Sequence, residues 1–280
     1  MPESDHSFKI IARVSGRALA RVAGLECRTW KASESTLQAT TERLADRVFI
    51  ASLAKERFAV YFEFVTTWSK SVCWSVLGKS GMLAERERLP VACLIFILRP
   101  KKYVPQHGTM HLKIHGNSAQ QVWFREERLW EIEPQPWWEA DPGLMALYPL
   151  CKHNEKPAES ILHAAERIEH NEKDGVVRAD LLTSLGIFGR LAYPGFDAMS
   201  LIGREKMRES KAYQEILAEG EATAHRKDVL DVATSRFGPR QATSLNEALQ
   251  SVISIEKLQS LHGLALRCSK IDDLIRAAKR

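Results

Sequence analysis

The stretch that most constrains this chain runs from Leu44 to Trp68. Arg47 to Leu53 is rich in β-branched and apolar residues, Ala54-Lys55-Glu56-Arg57 is polar, and Phe58 to Val65 is almost unbroken apolar. The pattern predicts two antiparallel strands joined by a short turn, the second covered on both faces. One residue interrupts the second run, Glu63. A charge inside such a strand is costly unless it is paired or holds a metal.

Pairing Leu53 with Phe58 puts Asp46 opposite Val65 and Glu63 opposite Val48. Side chains alternate faces with period two, so Asp46 and Glu63 then share a face as diagonal neighbours, with backbones roughly 7–8 Å apart. Two carboxylates converging in an apolar setting repel, and one stays protonated unless a cation sits between them. Oxygen ligands of this kind favour Mg²⁺ or Mn²⁺. The alternatives are an exposed Asp46 at a strand start and a Glu63 paired with an arginine from elsewhere. A one-residue slip in register would also send the two acids to opposite faces.

The chain has 280 residues, which suits one large domain or a domain with an appendage. Its net charge of +5 is compatible with a nucleic-acid partner without requiring one. The five cysteines are scattered with no C-x-x-C pair, which indicates neither a zinc site nor a disulfide framework and points to the reducing cytoplasm. No apolar run approaches the ~18–20 residues of a membrane span, and no signal peptide is expected.

Residues 5–23 have apolar positions at helical spacing (Phe8, Ile11, Val14, Ala18, Val22), with Ser4 or Asp5 as cap. Residues 24–43 read as a connection with one weak strand or helical piece. A helix is expected from about Thr67 to residue 86, with Trp68, Val72, Val76 and Leu77 toward the sheet and Lys70 in its first turn. Pro90 to Leu98 is the clearest buried strand, stopped by Arg99-Pro100. Met110–His115, Gln121–Phe124 and Leu129–Ile132 read as further strands. His107, His111 and His115 recur every fourth residue, but the alternation of Met110, Leu112 and Ile114 argues for strand and loop rather than a helical metal face. Trp137-Trp138 reads as buried against the sheet sooner than as an interface. From Pro157 the strand patterns stop. Ile161, Ala164, Ala165 and Ile168 form one helical stripe, and Val177, Leu181, Leu182 and Leu185 a second. A long charged helix is expected from Glu205 to about Ser235, ended by Arg236-Phe237-Gly238-Pro239, with short helices after it.

Taken together, several segments resemble one family. Asp5-His6-Ser7-Phe8-Lys9, Ala45-Asp46-Arg47-Val48, Phe62-Glu63-Phe64 and Leu89-Pro90-Val91 stand in the order of the Rpn-type recombination-promoting nucleases and transposase-like proteins of the PD-(D/E)XK superfamily. Met207, Glu209-Ser210, Tyr213-Gln214-Glu215-Ile216-Leu217 and Glu219-Gly220, followed by Arg236-Phe237-Gly238, resemble a helical module of unknown function attached to many members. The chain departs at Val65, where the family has Gln and the superfamily Lys.

The resemblance implies an α/β fold, a restriction-endonuclease-like mixed sheet core flanked by helices, followed by an all-α C-terminal region. The expected boundaries are 1–152 for the nuclease-like domain, 153–204 for a helical connection and 205–280 for the helical module. The implied activity is Mg²⁺- or Mn²⁺-dependent DNA endonuclease chemistry linked to recombination or transposition. Asp46 and Glu63 would hold the ion, helped by a backbone carbonyl near Phe64, and Lys70 would neutralise charge in place of Val65. Asp5 would position a ligand or water, and Lys101 and Lys102 would grip the DNA backbone. The alternative is an inactive DNA-binding or oligomerising paralogue. Partners expected are DNA and a second copy through the C-terminal helices, and no membrane.

Overall fold

The computed structural model describes residues 2–33, 36–37, 43–44, 47–101, 108–114 and 117–279. It opens with α1, Pro2–Val22, where proline at the first position carries the helix further forward than expected. α1 kinks at Ser15, which has non-helical dihedrals. The strands are β1 (Thr29–Ser33), β2 (Thr36–Leu37), β3 (Arg43–Leu44), β4 (Arg47–Leu53) and β5 (Glu56–Val65). The helix α2 (Lys70–Glu87) precedes β6 (Val91–Ile97), β7 (Thr109–Ile114) and β8 (Asn117–Arg128).

Six strands form one mixed sheet in the order β1-β4-β5-β6-β8-β7, and β2 pairs with β3 separately. β1, β4 and β5 are antiparallel neighbours, while β5, β6 and β8 run parallel. α2 is the crossover that makes β5 and β6 parallel, as such pairs require. Strand alternation then sorts the side chains into two faces. Phe49, Phe62, Phe64 and Phe96 point toward α1, where Phe8 stacks on Phe64 with centroids 4.6 Å apart. Gly16 of α1 lies so close to the Phe49 ring that a Cβ there would come within 2.9 Å of it. Val48, Tyr61, Cys93, Ile95, Ile97, Val122 and Phe124 point the other way and form one core with Val72, Val76 and Leu83 of α2.

The hairpin register differs from the expectation. Leu53 pairs with Glu56 rather than Phe58, and Arg47 with Phe62. Ala54-Lys55 alone makes the turn, and Ala54 takes a left-handed φ of 53°. Two-residue turns with positive φ match the strand twist and so win over the longer loop. The shift is two residues, so the face of every side chain on β4 and β5 is preserved.

After β8, residues 129–131 form a single helical turn rather than a strand. Pro134 and Pro136 follow, and the Ile132 carbonyl accepts from Lys152 N–H at 2.9 Å instead of a strand neighbour. Trp138 is buried. Then come α3 (Pro142–Leu147), α4 (Pro157–Asn171), α5 (Gly175–Ala192) and α6 (Ala198–Ile202). Both expected stripes, on α4 and α5, are largely buried. The long helix α7 begins at Lys211, not Glu205, and runs to Phe237. Gly203, with φ 99°, ends α6 and leads into a tight turn over Arg204–Met207.

The chain divides into two compact units, Met1–Ala212 and Tyr213–Arg280. Residues 153–204, read from sequence as a connection, lie in the first unit, where α5 packs on α1, α3 and α4. The second unit contains most of α7 with α8 (Pro239–Leu249), α9 (Ile255–Arg267) and α10 (Ile271–Lys279). Its core includes Ala222, Val229, Leu245, Leu249, Leu258 and Leu274. Gly238 (φ 89°) and Pro239 punctuate the step from α7 to α8. No described helix is long and apolar enough to cross a membrane.

Candidate functional site

β5 is a central strand, so its charged residue is the natural starting point. Glu63 shares the α2 face with Tyr61 and Val65. Its partner is Lys79, whose Nζ donates to Glu63 Oε2 at 2.7 Å. The two side chains retain 11% and 14% exposure, so the pair is nearly sequestered. The ammonium also lies 6.0 Å from the centroid of the Tyr61 ring, within reach of its negative face.

Lys79 reaches Glu63 because it belongs to the buried stripe of α2. Val72, Val76, Lys79 and Leu83 recur at one helical face, and all four are buried. Isolated, each charge would cost several kcal/mol to bury; together, with a direct hydrogen bond, they offset much of that. Glu63 is thus ion-paired, by a lysine from the following helix rather than by an arginine.

Two more titratable groups share this face. Glu63 is the register partner of Ile95, which in turn is the partner of Glu126 on β8. At about 4.8 Å per strand, the backbones of the two acids stand roughly 10 Å apart. Cys93, two residues before Ile95, has its thiol pushed up to about 12. Burial is the main cause; a hydrogen bond with Ser80 opposes it and the charge of Glu63 adds to it. A thiol held protonated is a poor nucleophile, so Cys93 acts as an apolar filler. Cys73 on α2 is also raised, by burial and by the charge of Glu126.

Of the other expected site residues, Lys70 is exposed as the first residue of α2. It lies nine residues from Lys79, about 13.5 Å along the helix axis. Lys101 is exposed beyond the end of β6. Asp5 falls within α1. Asp46 and Lys102 lie outside the described residues, as do His107 and His115. His111 sits on β7 and its Nε2 lies 2.6 Å from Ser118 Oγ.

Among the described residues no group of three or more His, Cys, Asp or Glu side chains is placed to hold a metal. The described donor at the expected position is one carboxylate, and an ammonium already engages one of its oxygens. That set does not fit Mg²⁺, which takes oxygen ligands in near-octahedral geometry. The chain matches no protein-family model, no curated protein and no solved structure.

Proposed function

We propose that the first unit is a restriction-endonuclease-like scaffold that binds DNA without cutting it, with the Lys79 ammonium standing where active relatives would hold a metal ion. The observation that carries this reading is the 2.7 Å contact between Lys79 and Glu63 on a central strand. One positive charge compensates the Glu63 carboxylate directly, without an ion. Val65, on the same face, has no donor to orient water, which points the same way. The mixed sheet with helices on both faces supports the scaffold, and the net charge of +5 supports the polyanionic partner.

A second reading is an active Mg²⁺-dependent endonuclease linked to recombination. One specific feature favours it: Asp46 directly precedes Arg47, and Arg47 pairs with Phe62, the residue before Glu63. In that reading Lys79, not Lys70, supplies the positive charge beside the phosphate.

Supercoiled plasmid incubated with the protein and Mg²⁺ or Mn²⁺ separates the two. The expected result is a salt-sensitive gel shift without nicking. Nicking that is lost in Glu63→Ala would install the endonuclease instead. Absence of both nicking and shift would remove DNA from the account.

A further inference from the structure

On the opposite side of the sheet from Glu63, α1 exposes a row of arginines. Arg13, Arg17 and Arg21 recur every fourth residue and all three remain exposed across the kink at Ser15. Successive members rise by about 6 Å along the helix. None of the three is ion-paired with a carboxylate among the described residues. Like charges one turn apart weaken a helix, so such a row carries a cost.

Two of the arginines are held in place. Arg17 Nη2 donates to the Cys27 carbonyl at 2.8 Å. The Arg21 guanidinium lies over the Trp137 ring, its Cζ 4.4 Å from the centroid. With Leu25 and Cys27 these residues line a groove of about 590 Å³. Two acids also line it. Asp141 is committed: its Oδ1 is hydrogen-bonded by the Ser15 hydroxyl and accepts from the N–H groups of Gly143 and Leu144, capping α3. Glu26 is the acid left facing the guanidinium groups of Arg17 and Arg21, and Arg13 continues the row one turn beyond the groove.

A guanidinium fork matches phosphate, and an indole under a guanidinium is a platform on which a base can stack. We infer that Arg13, Arg17, Arg21 and Trp137 form a seat for an unpaired nucleic-acid strand, the arginines on its phosphates and a base stacked over the Arg21–Trp137 pair. The inference rests on the nucleic-acid reading above but places the contact away from Glu63.

The test uses the full chain and a fluorescein-labelled strand of about 20 nucleotides, longer than the usual ~4–16-nucleotide footprint, titrated by anisotropy at several salt concentrations, with the matching blunt duplex alongside. Three lost phosphate contacts at a slope of about 0.7 each should lower the salt slope by about 2 and the affinity about 100-fold near 0.1 M salt in the combined Arg13→Gln, Arg17→Gln, Arg21→Gln protein. Trp137→Ala should lose about tenfold with the slope unchanged. A control with the same charge change in the second unit, Lys227→Gln, Arg240→Gln, Lys270→Gln, should stay within about threefold of wild type, because those exposed residues are not members of the seat. Unaltered far-UV circular dichroism verifies that the variants are folded. If the row variant keeps its affinity and slope, or the control loses as much, the seat is overturned while DNA binding stands. Tighter binding of duplex than of strand overturns the unpaired-strand assignment. Wild type that binds neither removes the seat and the reading beneath it together.

Discussion

The two faces of the central sheet are built from alternate residues of the same strands, yet they are chemically different. Toward α1, over β4, β5 and β6, the contacts are between rings. Phe62 sits 5.8 Å from Phe49, 6.2 Å from Phe96 and 6.3 Å from Trp30, centroid to centroid. Toward α2, the same strands present Tyr61, Glu63 and Cys93 beneath Lys79. Over these three strands the first face is packed ring on ring. The second spends part of its area on a charge pair, and a buried pair adds little net stability over apolar residues of equal volume. Glu63 is a charge in the part of β5 that could be wholly apolar, and it marks its face as the one with a purpose other than cohesion.

The largest effect expected is on the aromatic face. Phe62 is fully buried, and Phe62→Ala should destabilise the first unit by about 3–5 kcal/mol through lost transfer energy and the cavity left behind. Urea unfolding followed by tryptophan fluorescence isolates this unit, because all seven tryptophans precede residue 139. A cost below about 2 kcal/mol would mean that the rings repack and that this face is not the cohesive one.

On the α2 face, Lys79→Met should cost about 2–4 kcal/mol near neutral pH. Breaking a buried pair typically costs 3–5, and the residual exposure of both side chains trims that. The companion Glu63→Leu, Lys79→Met protein should recover most of the loss, landing within about 1 kcal/mol of wild type or above it. The double-mutant cycle measures the coupling directly. If the double replacement is as unstable as Lys79→Met alone, the pair is structural and the contrast between the faces fails.

Why the pair escaped the sequence is instructive. Glu63 stood out because it broke an apolar run, and its strand and face were legible from period two alone. The register was not: Phe58 opposite Leu53 and Glu56 opposite Leu53 preserve the same faces, and only the left-handed φ of Ala54 decides between them. Lys79 was hidden by the habit of treating a lysine on a helix as solvated. Its position between Val76 and Leu83 on the apolar stripe was the available signal. Lys70 stands nearest in sequence to the end of β5, whereas the lysine that reaches Glu63 lies nine residues further along α2. The buried strands β5 and β6 and the stripes of α4 and α5 were readable because burial imposes a period. Leu129–Ile132 was misread because a short apolar run has no period of its own, and the late start of α7 because Gly203 acts through backbone conformation rather than hydrophobicity. The arginine row of α1 is readable at four-residue spacing, but that Arg21 lies over Trp137 is a fact of packing.

The smallest effect expected separates the faces by pH. An unfolded Cys93 thiol ionises near 9, whereas in the folded protein burial pushes it up to about 12. Between those values the unfolded chain releases a proton that the folded chain retains, so stability falls as pH rises, by up to about 1.4 kcal/mol per pH unit. By about pH 10.5 the loss from this one group amounts to about 2 kcal/mol. Cys93→Ala is less stable than wild type at neutral pH because of its cavity, but it should lose about 2 kcal/mol less between about pH 8.5 and 10.5. Lysines and tyrosines titrate alike in both proteins and cancel in the difference. Phe62→Ala, made on the face without ionisable groups at its centre, should run parallel to wild type over the same range. Parallel curves for Cys93→Ala and wild type would mean that the thiol ionises as readily folded as unfolded, and that the α2 face is wetter than its 0% exposure at Cys93 implies.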